Sequence, residues 1–399
     1  MNKSIHFTGQ PTFSQLLKLI PKDRLKTCVQ AANSDYYYKR FDTWHHLVTM
    51  LFCCYGHCHS LREVVSGMRA LEGRLQSSGI SYFPARSTFA EANLKRDSRV
   101  FESIYMAIKE HWGKFLPDSR TKNELVYIMD STTIKLFQEI FKGSGLSKAN
   151  GRRKGGLKVH MAVQNAQSVP SVIHISEAAY NDVTFTKYLN LPAGSTIIMD
   201  RGYRDYRQYN AWTQQQVRWV TRMHPHTYSE ELEVLKISPE QKQHGVLKDR
   251  RIQMGFPQKR ISKVICRHIE YTNPKTGKHL EFITNDFDNN PLVIAQLYKK
   301  RWEIELLFKR LKQNMPLQYF LGDNQNAIRI QIWCALIADL ILQVIRNQVK
   351  RKWAYSNIVS IVRLHLFNYL NLLSFLENPD KAIIQIHPGV TQLKIDLSG

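Results

Sequence analysis

Two short apolar runs, each ending in an aspartate, constrain the fold of this chain more than any other feature. They are Leu125-Val126-Tyr127-Ile128-Met129 before Asp130, and Thr196-Ile197-Ile198-Met199 before Asp200. Runs of this length and composition are short strands with a buried face. Between them, Leu157, Val159, Met161 and Val163 alternate with Lys158, His160, Ala162 and Gln164, the period of a half-buried strand. Val172-Ile173-His174-Ile175 follows a turn-like stretch from Asn165 to Pro170, which predicts a hairpin. A helix near 182–190 then leads into the second aspartate run, and Trp219-Val220-Thr221-Arg222 predicts a further strand. If the two Asp-ended strands lie adjacent and parallel, their carboxylates meet at the strand C-termini, the edge where α/β sheets commonly hold ligands. Carboxylates that close repel unless a divalent cation bridges them, and hard oxygen donors in small number suit Mg²⁺ or Mn²⁺. Taken singly, either aspartate is accounted for as a cap on the turn after it.

A third acid changes that reading. A long helix is expected from about Pro291 to Asn314, stopped before Pro316. On it Tyr298, Arg301, Glu305 and Lys312 fall within an arc of about 60° on one face. Leu297, Ile304, Phe308 and Leu311 form the apolar seam beside that stripe, so Glu305 sits at the edge of the buried face. Glu303, Lys309 and Arg310 point to solvent. Carboxylates converging from two strands and one helix suit a pair of metal ions. Such a pair activates a water or a 3′-hydroxyl and stabilises the leaving oxygen in phosphoryl transfer. Arg301 and Lys312 suit phosphate contact, the first bidentately and the second as a point charge.

The surrounding segments read as helical. Phe13, Leu16, Leu17 and Ile20, and Leu47, Met50 and Leu51, recur at helix spacing within the first 120 residues. Ser60 to Glu63 and Thr88 to Glu91 have the form of capping boxes. Arg86, Lys95, Arg96 and Arg99 near helix ends suit either a helix-turn-helix reader or the solvated face of an ordinary bundle. Cys53, Cys54, His57, Cys58 and His59 follow an apolar run and read as buried cysteines at a helix end, without a second ligand pair at finger-like spacing. Residues 224–285 read as a strand-rich insertion in which helix-like stretches give way to Val264-Ile265-Cys266, Ile269-Glu270-Tyr271 and Leu280-Glu281-Phe282-Ile283. The apolar stretch Ile328 to Val349 is interrupted by Arg329, Asp339 and Arg346 and reads as a buried helix, with no membrane role. His160 and His174 read as satisfied structural histidines.

The chain carries a net charge of +23 with a pI near 9.7. An excess of that size points to a polyanion, nucleic acid before an anionic membrane surface. It is spread along the whole chain, which excludes a basic arm on a neutral body. The first residues lack the apolar stretch of a secretory signal, and six cysteines make no disulfide framework, so a cytoplasmic protein is expected.

These residues resemble a bacterial DDE-type insertion-sequence transposase of the insertion sequence four family. That family's signature Y-x2-R-x3-E-x6-K is matched without a gap by Tyr298, Arg301, Glu305 and Lys312. Tyr127-Ile128-Met129-Asp130-Ser131-Thr132 resembles its first-aspartate strand, and Met199-Asp200-Arg201-Gly202-Tyr203 its second-aspartate motif. Lys154-Gly155-Gly156-Leu157-Lys158-Val159-His160 resembles its second strand. The resemblance implies an α/β fold: a ribonuclease H-like DDE catalytic domain over 121–320, interrupted by the β-rich insertion at about 224–285. An all-helical DNA-binding domain over 1–120 precedes it, and a helical region over 321–399 follows, its apolar residues suited either to core or to a dimer interface. It further implies that Asp130, Asp200 and Glu305 bind two Mg²⁺ or Mn²⁺ ions, and that Tyr298, Arg301 and Lys312 contact DNA phosphates. The expected partners are double-stranded DNA, as terminal inverted repeats and as target, and a second copy of the chain. Its expected place is the bacterial cytoplasm, associated with the nucleoid when on DNA. Some relatives hold a flipped base on an aromatic of the insertion; this chain offers Phe256, Tyr271 and Phe282 there and no Trp, and no residue is assigned that role. Two other readings share part of the pattern: a repressor that binds DNA without cutting, and a metal-dependent nuclease that cuts without joining.

Overall fold

The computed structural model describes residues 9–116, 125–135, 156–164, 169–177, 181–255, 262–317 and 319–382. Lys154, Gly155, Asn165 and Phe256, named above, lie outside the described residues. Six helices come first: α1 (Thr12–Leu17), α2 (Lys22–Ala31), α3 (Thr43–Gly56), α4 (Leu61–Arg69), α5 (Arg86–Lys95) and α6 (Arg99–His111). Strands β1 (Val126–Lys135), β2 (Gly156–Gln164), β3 (Pro170–Glu177) and β4 (Thr196–Met199) follow, then α7 (Tyr206–Gln214) and β5 (Arg218–Arg222). Next come β6 (Ser229–Val234), α8 (Pro239–Gln243), β7 (Val246–Met254), β8 (Val264–Thr272) and β9 (His279–Thr284). The chain closes on α9 (Pro291–Lys299), α10 (Trp302–Asn314), α11 (Gln325–Gln348), α12 (Tyr355–Leu364) and α13 (Leu372–Glu377).

Two compact units result. One holds Met1–Phe115, Asn314–Pro316 and Ile330–Gly399; the other holds Leu116–Gln313 and Leu317–Arg329. The three segments read from sequence are thus gathered into two, because helices from the front and the rear share one core. Tyr55 donates its hydroxyl to the Ala338 carbonyl at 3.3 Å, the Tyr105 and Trp333 rings lie 5.7 Å apart, and the Tyr355 hydroxyl donates to Asp339 at 2.6 Å. That last bond satisfies the acid inside the apolar α11. By length and composition α11 could cross a membrane, yet 94% of its apolar window is buried inside the protein, as a core helix requires.

Local chemistry in the helical unit departs from the sequence reading at several points. Ser60 caps α4 by accepting the Glu63 N–H, and Glu63 reaches back to the His59 N–H at 2.7 Å. Thr88 caps nothing, because α5 already begins at Arg86 after Ala85. Arg96 is buried and donates to the Phe41 carbonyl at 2.8 Å, Lys95 pairs with Glu91 at 2.6 Å, and Arg99 pairs with Asp97. Three of the four cations considered for a DNA-reading face are therefore engaged within the protein. Cys53, Cys54 and Cys58 are buried near the end of α3, and burial pushes the Cys58 thiol up to about 12.

His46 on α3 is fully buried, its Nε2 lying 2.8 Å from the Asn93 side-chain oxygen. Burial first, and the Arg96 charge second, push this imidazole down to about 3. A depressed histidine contributes stability above its ordinary pKa and loses it as the pH falls towards the folded value. Between pH 6.5 and 4, His46→Gln is expected to flatten the fall in unfolding free energy by about 1.4 kcal/mol per pH unit. Urea titrations of both proteins across that range measure it, and parallel profiles would contradict it.

The second unit is built on one nine-stranded sheet in the order β3-β2-β1-β4-β5-β9-β8-β7-β6. The hairpin expected between β2 and β3 is present, and β1, β4 and β5 run parallel. Trp219 of β5, fully buried, stacks on Tyr209 of α7 at 4.4 Å, and Ile197, Met199 and Trp212 join the same core. The segment read as a mixed insertion extends this sheet. Its helix-like stretches are largely the strands β6 and β7, and Val264 to Thr272 is one continuous strand. A buried ion pair holds it: Arg267 on β8 donates to both Asp249 oxygens at 2.9 and 2.7 Å, and to the carbonyls of Asp286 and Asn289. Asn290, next in the chain, caps α9.

Candidate active site

Strand register brings the two aspartates together. Met129 of β1 pairs with Met199 of β4 in parallel, and Ile198 of β4 with Val220 of β5. With side chains alternating across a strand, Asp130, Asp200 and Arg222 follow Ile128, Ile198 and Val220 on one face. Asp130 does not end its strand as expected. Antiparallel pairing with β2 carries β1 on to Lys135, while pairing with β4 stops at Met129. Asp130 therefore stands where the parallel ladder gives out.

The long helix expected at 291–314 is two helices. Around Lys300 and Arg301 the backbone closes three-residue turns, Arg301 N–H to the Tyr298 carbonyl at 3.0 Å and Glu303 N–H to that of Lys300 at 2.9 Å. Tyr298 lies on α9, Arg301 in the break, and Glu305 and Lys312 on α10. The interruption lets Arg301 serve two acids, Asp130 at 3.2 Å and Glu305 at 2.5 Å. On β5, Arg222 donates to Asp200 at 3.3 Å. The guanidinium groups of Arg222 and Arg301 each lie 5.9 Å from the Tyr298 ring centre. Tyr298 is nearly buried, 5.2 Å from Phe282, and burial pushes its phenol upward against the pull of the two arginines. Lys312 is exposed and donates to the Thr133 carbonyl at 3.2 Å.

Burial pushes the Asp130 carboxyl up to about 6; the Ser131 N–H and Arg301 oppose it, while Asp200 and Glu305 add to it. Asp130 thus feels both of the other acids. Three carboxylates are hard oxygen donors of the kind Mg²⁺ takes, so donor set and charge fit a divalent cation. Among the described residues, no three His, Cys, Asp or Glu side chains stand close enough to hold an ion, and Arg301 supplies the countercharge between Asp130 and Glu305.

Two neighbours escaped the sequence reading. Arg222 was legible only as a strand end; its relation to Asp200 needs the β4–β5 register. Asp182 begins the 3₁₀ turn Asp182–Tyr188, accepts from the Ser131 hydroxyl at 2.9 Å and pairs with Lys158 at 3.0 Å. Asp182 thereby ties the residue after Asp130 to strand β2. His160, read as structural, is fully buried between Ser176 at 2.9 Å and the stacked Phe185 ring, and burial lowers it to about 4.

This chain is similar to known transposases over much of its length. The family described as "Transposase DDE domain" matches residues 121–340, and "Domain of unknown function (DUF4372)" matches residues 8–81. A protein of Sinorhizobium fredii that bears the name of a transposase is 29% identical over 275 residues, 68% of this chain and 74% of its own. A Synechocystis protein named as the transposase of an insertion sequence element is 26% identical over 295 residues, 71% and 78% of the two chains. The structure of a piggyBac transposase synaptic complex with hairpin DNA aligns with a TM-score of 0.46 and 9% identity, covering 92% of this chain and 80% of that one.

Proposed function

This chain belongs to the DDE transposase family, and from that premise we propose that Asp130, Asp200 and Glu305 are its catalytic acids. The enzyme cleaves DNA at the ends of its insertion sequence and joins the freed 3′-hydroxyl to target DNA. The observation that carries this reading is the parallel β1–β4 register immediately before Asp130 and Asp200, supported by Arg301, which bridges Asp130 and Glu305. The strand order β3-β2-β1-β4-β5 supports a ribonuclease H-like core, with β6 to β9 as its β-rich insertion. The ungapped Y-x2-R-x3-E-x6-K spacing supports membership of the insertion sequence four group.

Asp130, Asp200 and Glu305 would hold Mg²⁺ or Mn²⁺, which when bound lowers the pKa of an attacking hydroxyl and stabilises the leaving oxygen. The remaining work falls to side chains. Arg301 exchanges the two carboxylates for a phosphate, to which its planar fork is matched. Tyr298 packs against both arginines and limits their movement. Lys312, exposed beside β1, contacts the backbone further along the DNA. A dimer that pairs two transposon ends, working in the cytoplasm on nucleoid DNA, completes the reading.

Cleavage of DNA carrying the element's own ends, with Mg²⁺ or Mn²⁺ and with chelator, tests it. Nicked ends and joined products that vanish with chelator are expected. Binding without any cutting would favour a repressor, and cutting without joined products a nuclease. Arg222→Ala, which leaves Asp200 without its positioning partner, is expected to slow cleavage about tenfold to a hundredfold with little change in DNA affinity.

A further inference from the structure

The helical unit displays two aromatic side chains where a folded chain gains nothing from exposing them. Tyr36 is 70% and Tyr37 87% exposed, their rings at right angles with centres 4.7 Å apart. Large exposed aromatics placed side by side are informative where single ones are not.

The turn that carries them is braced from beneath. After α2, Asn33 takes a left-handed φ of 48°, and the Ser34 N–H returns to the Val29 carbonyl at 3.1 Å. Asp35 accepts both the N–H and the hydroxyl of Thr43 at 2.7 Å, fastening the turn to the start of α3. Arg96, whose side chain is fully buried, lies 4.0 Å over the Tyr38 ring and 3.5 Å from Asp35. One tyrosine of the three is thus consumed as a foundation and two are held outward. The next residues, Lys39 and Arg40, are exposed, and no acid occurs from Tyr36 to Arg40. Asp35, the nearest acid before them, already faces the Arg96 charge and accepts two hydrogen bonds from Thr43.

We propose that Tyr36 and Tyr37 form a stacking platform for unpaired DNA bases, with Lys39 and Arg40 on the adjoining phosphates. Base pairs inside a duplex have both faces covered, whereas an unstacked base offers its π-face to an aromatic ring, whatever its identity. Cationic neighbours select a nucleic acid over an apolar peptide, since they add phosphate attraction beside the rings. Pre-organisation of the turn lowers the entropy cost of that contact. The proposal rests on the reading of this chain as a DNA enzyme and adds to it a binding site in the helical unit, remote in sequence from the acids.

Fluorescence anisotropy with chelator present, so that nothing is cut, tests it on a blunt duplex and on the same duplex with a short single-stranded 3′ extension. Wild type is expected to prefer the extended DNA. Tyr36→Ser with Tyr37→Ser should lose about tenfold in affinity for the extension while keeping its affinity for the blunt duplex. Tyr36→Phe with Tyr37→Phe, which keeps the rings, should behave as wild type and excludes a folding defect as the cause. Equal affinity of the Ser variant and wild type for the extended DNA overturns the platform and leaves the transposase reading standing. Equal affinity with a fall in sedimentation coefficient assigns the patch to a second copy of the chain and also overturns it. Failure of wild type to bind either DNA overturns both.

Discussion

Alanine at any one of Asp130, Asp200 or Glu305 is expected to reduce cleavage by on the order of 10³-fold or more while DNA affinity stays within about threefold of wild type. The asymmetry follows from charge. The three acids sit in a chain of net charge +23, and each repels DNA phosphates, so removing one cannot weaken the electrostatic part of binding. What is lost is an oxygen donor and part of the negative potential that would draw a divalent cation to the site. Gel assays of end cleavage beside anisotropy on the same DNA separate the two effects. Undiminished cutting by Glu305→Ala would sink the assignment of the site. Loss of cutting together with binding would instead mean that the acid holds the fold.

Arg267→Ala or Asp249→Ala is expected to cost about 3–5 kcal/mol of stability in urea unfolding, because either leaves a charge buried without its partner. Both side chains are almost wholly withdrawn from solvent, and the pair is bidentate. Replacing both at once, Asp249→Leu with Arg267→Met, should cost much less, since no orphan charge remains. Arg267 also holds the carbonyls of Asp286 and Asn289, just before the Asn290 cap of α9. Single variants should therefore also lower cleavage, by loosening the helix that carries Tyr298. Additive losses in the double variant would contradict the ion-pair account.

Much of the site was legible before the fold was. Alternation and apolar runs placed β2, β3 and β4; parallel pairing of the strands that carry Asp130 and Asp200 stood only as a condition, which the β1–β4 register meets. Failures came where a long-range contact overrides a local pattern. Strand β1 outruns Asp130 because β2 keeps supplying hydrogen-bond partners. The helix from Pro291 breaks at Lys300 and Arg301, although nothing there is a helix breaker, and the arginine in that break engages two acids. Arg96, which looked like a surface cation, is the buried support of a turn some 60 residues earlier.

Residue types and their order along the chain set which chemistries are present: three acids, an arginine and a lysine at set spacings, strands by their alternation, and a charge that points to a polyanion. These are properties of neighbours along the chain, written in residue type and period. Which side chain faces which is a matter of the folded chain. Tertiary structure set Arg301 between Asp130 and Glu305, Arg222 against Asp200, and Asp182 behind Ser131, and it folded the first and last helices into one core. Those pairings depend on strand register and on packing between segments tens to hundreds of residues apart, which no local period encodes.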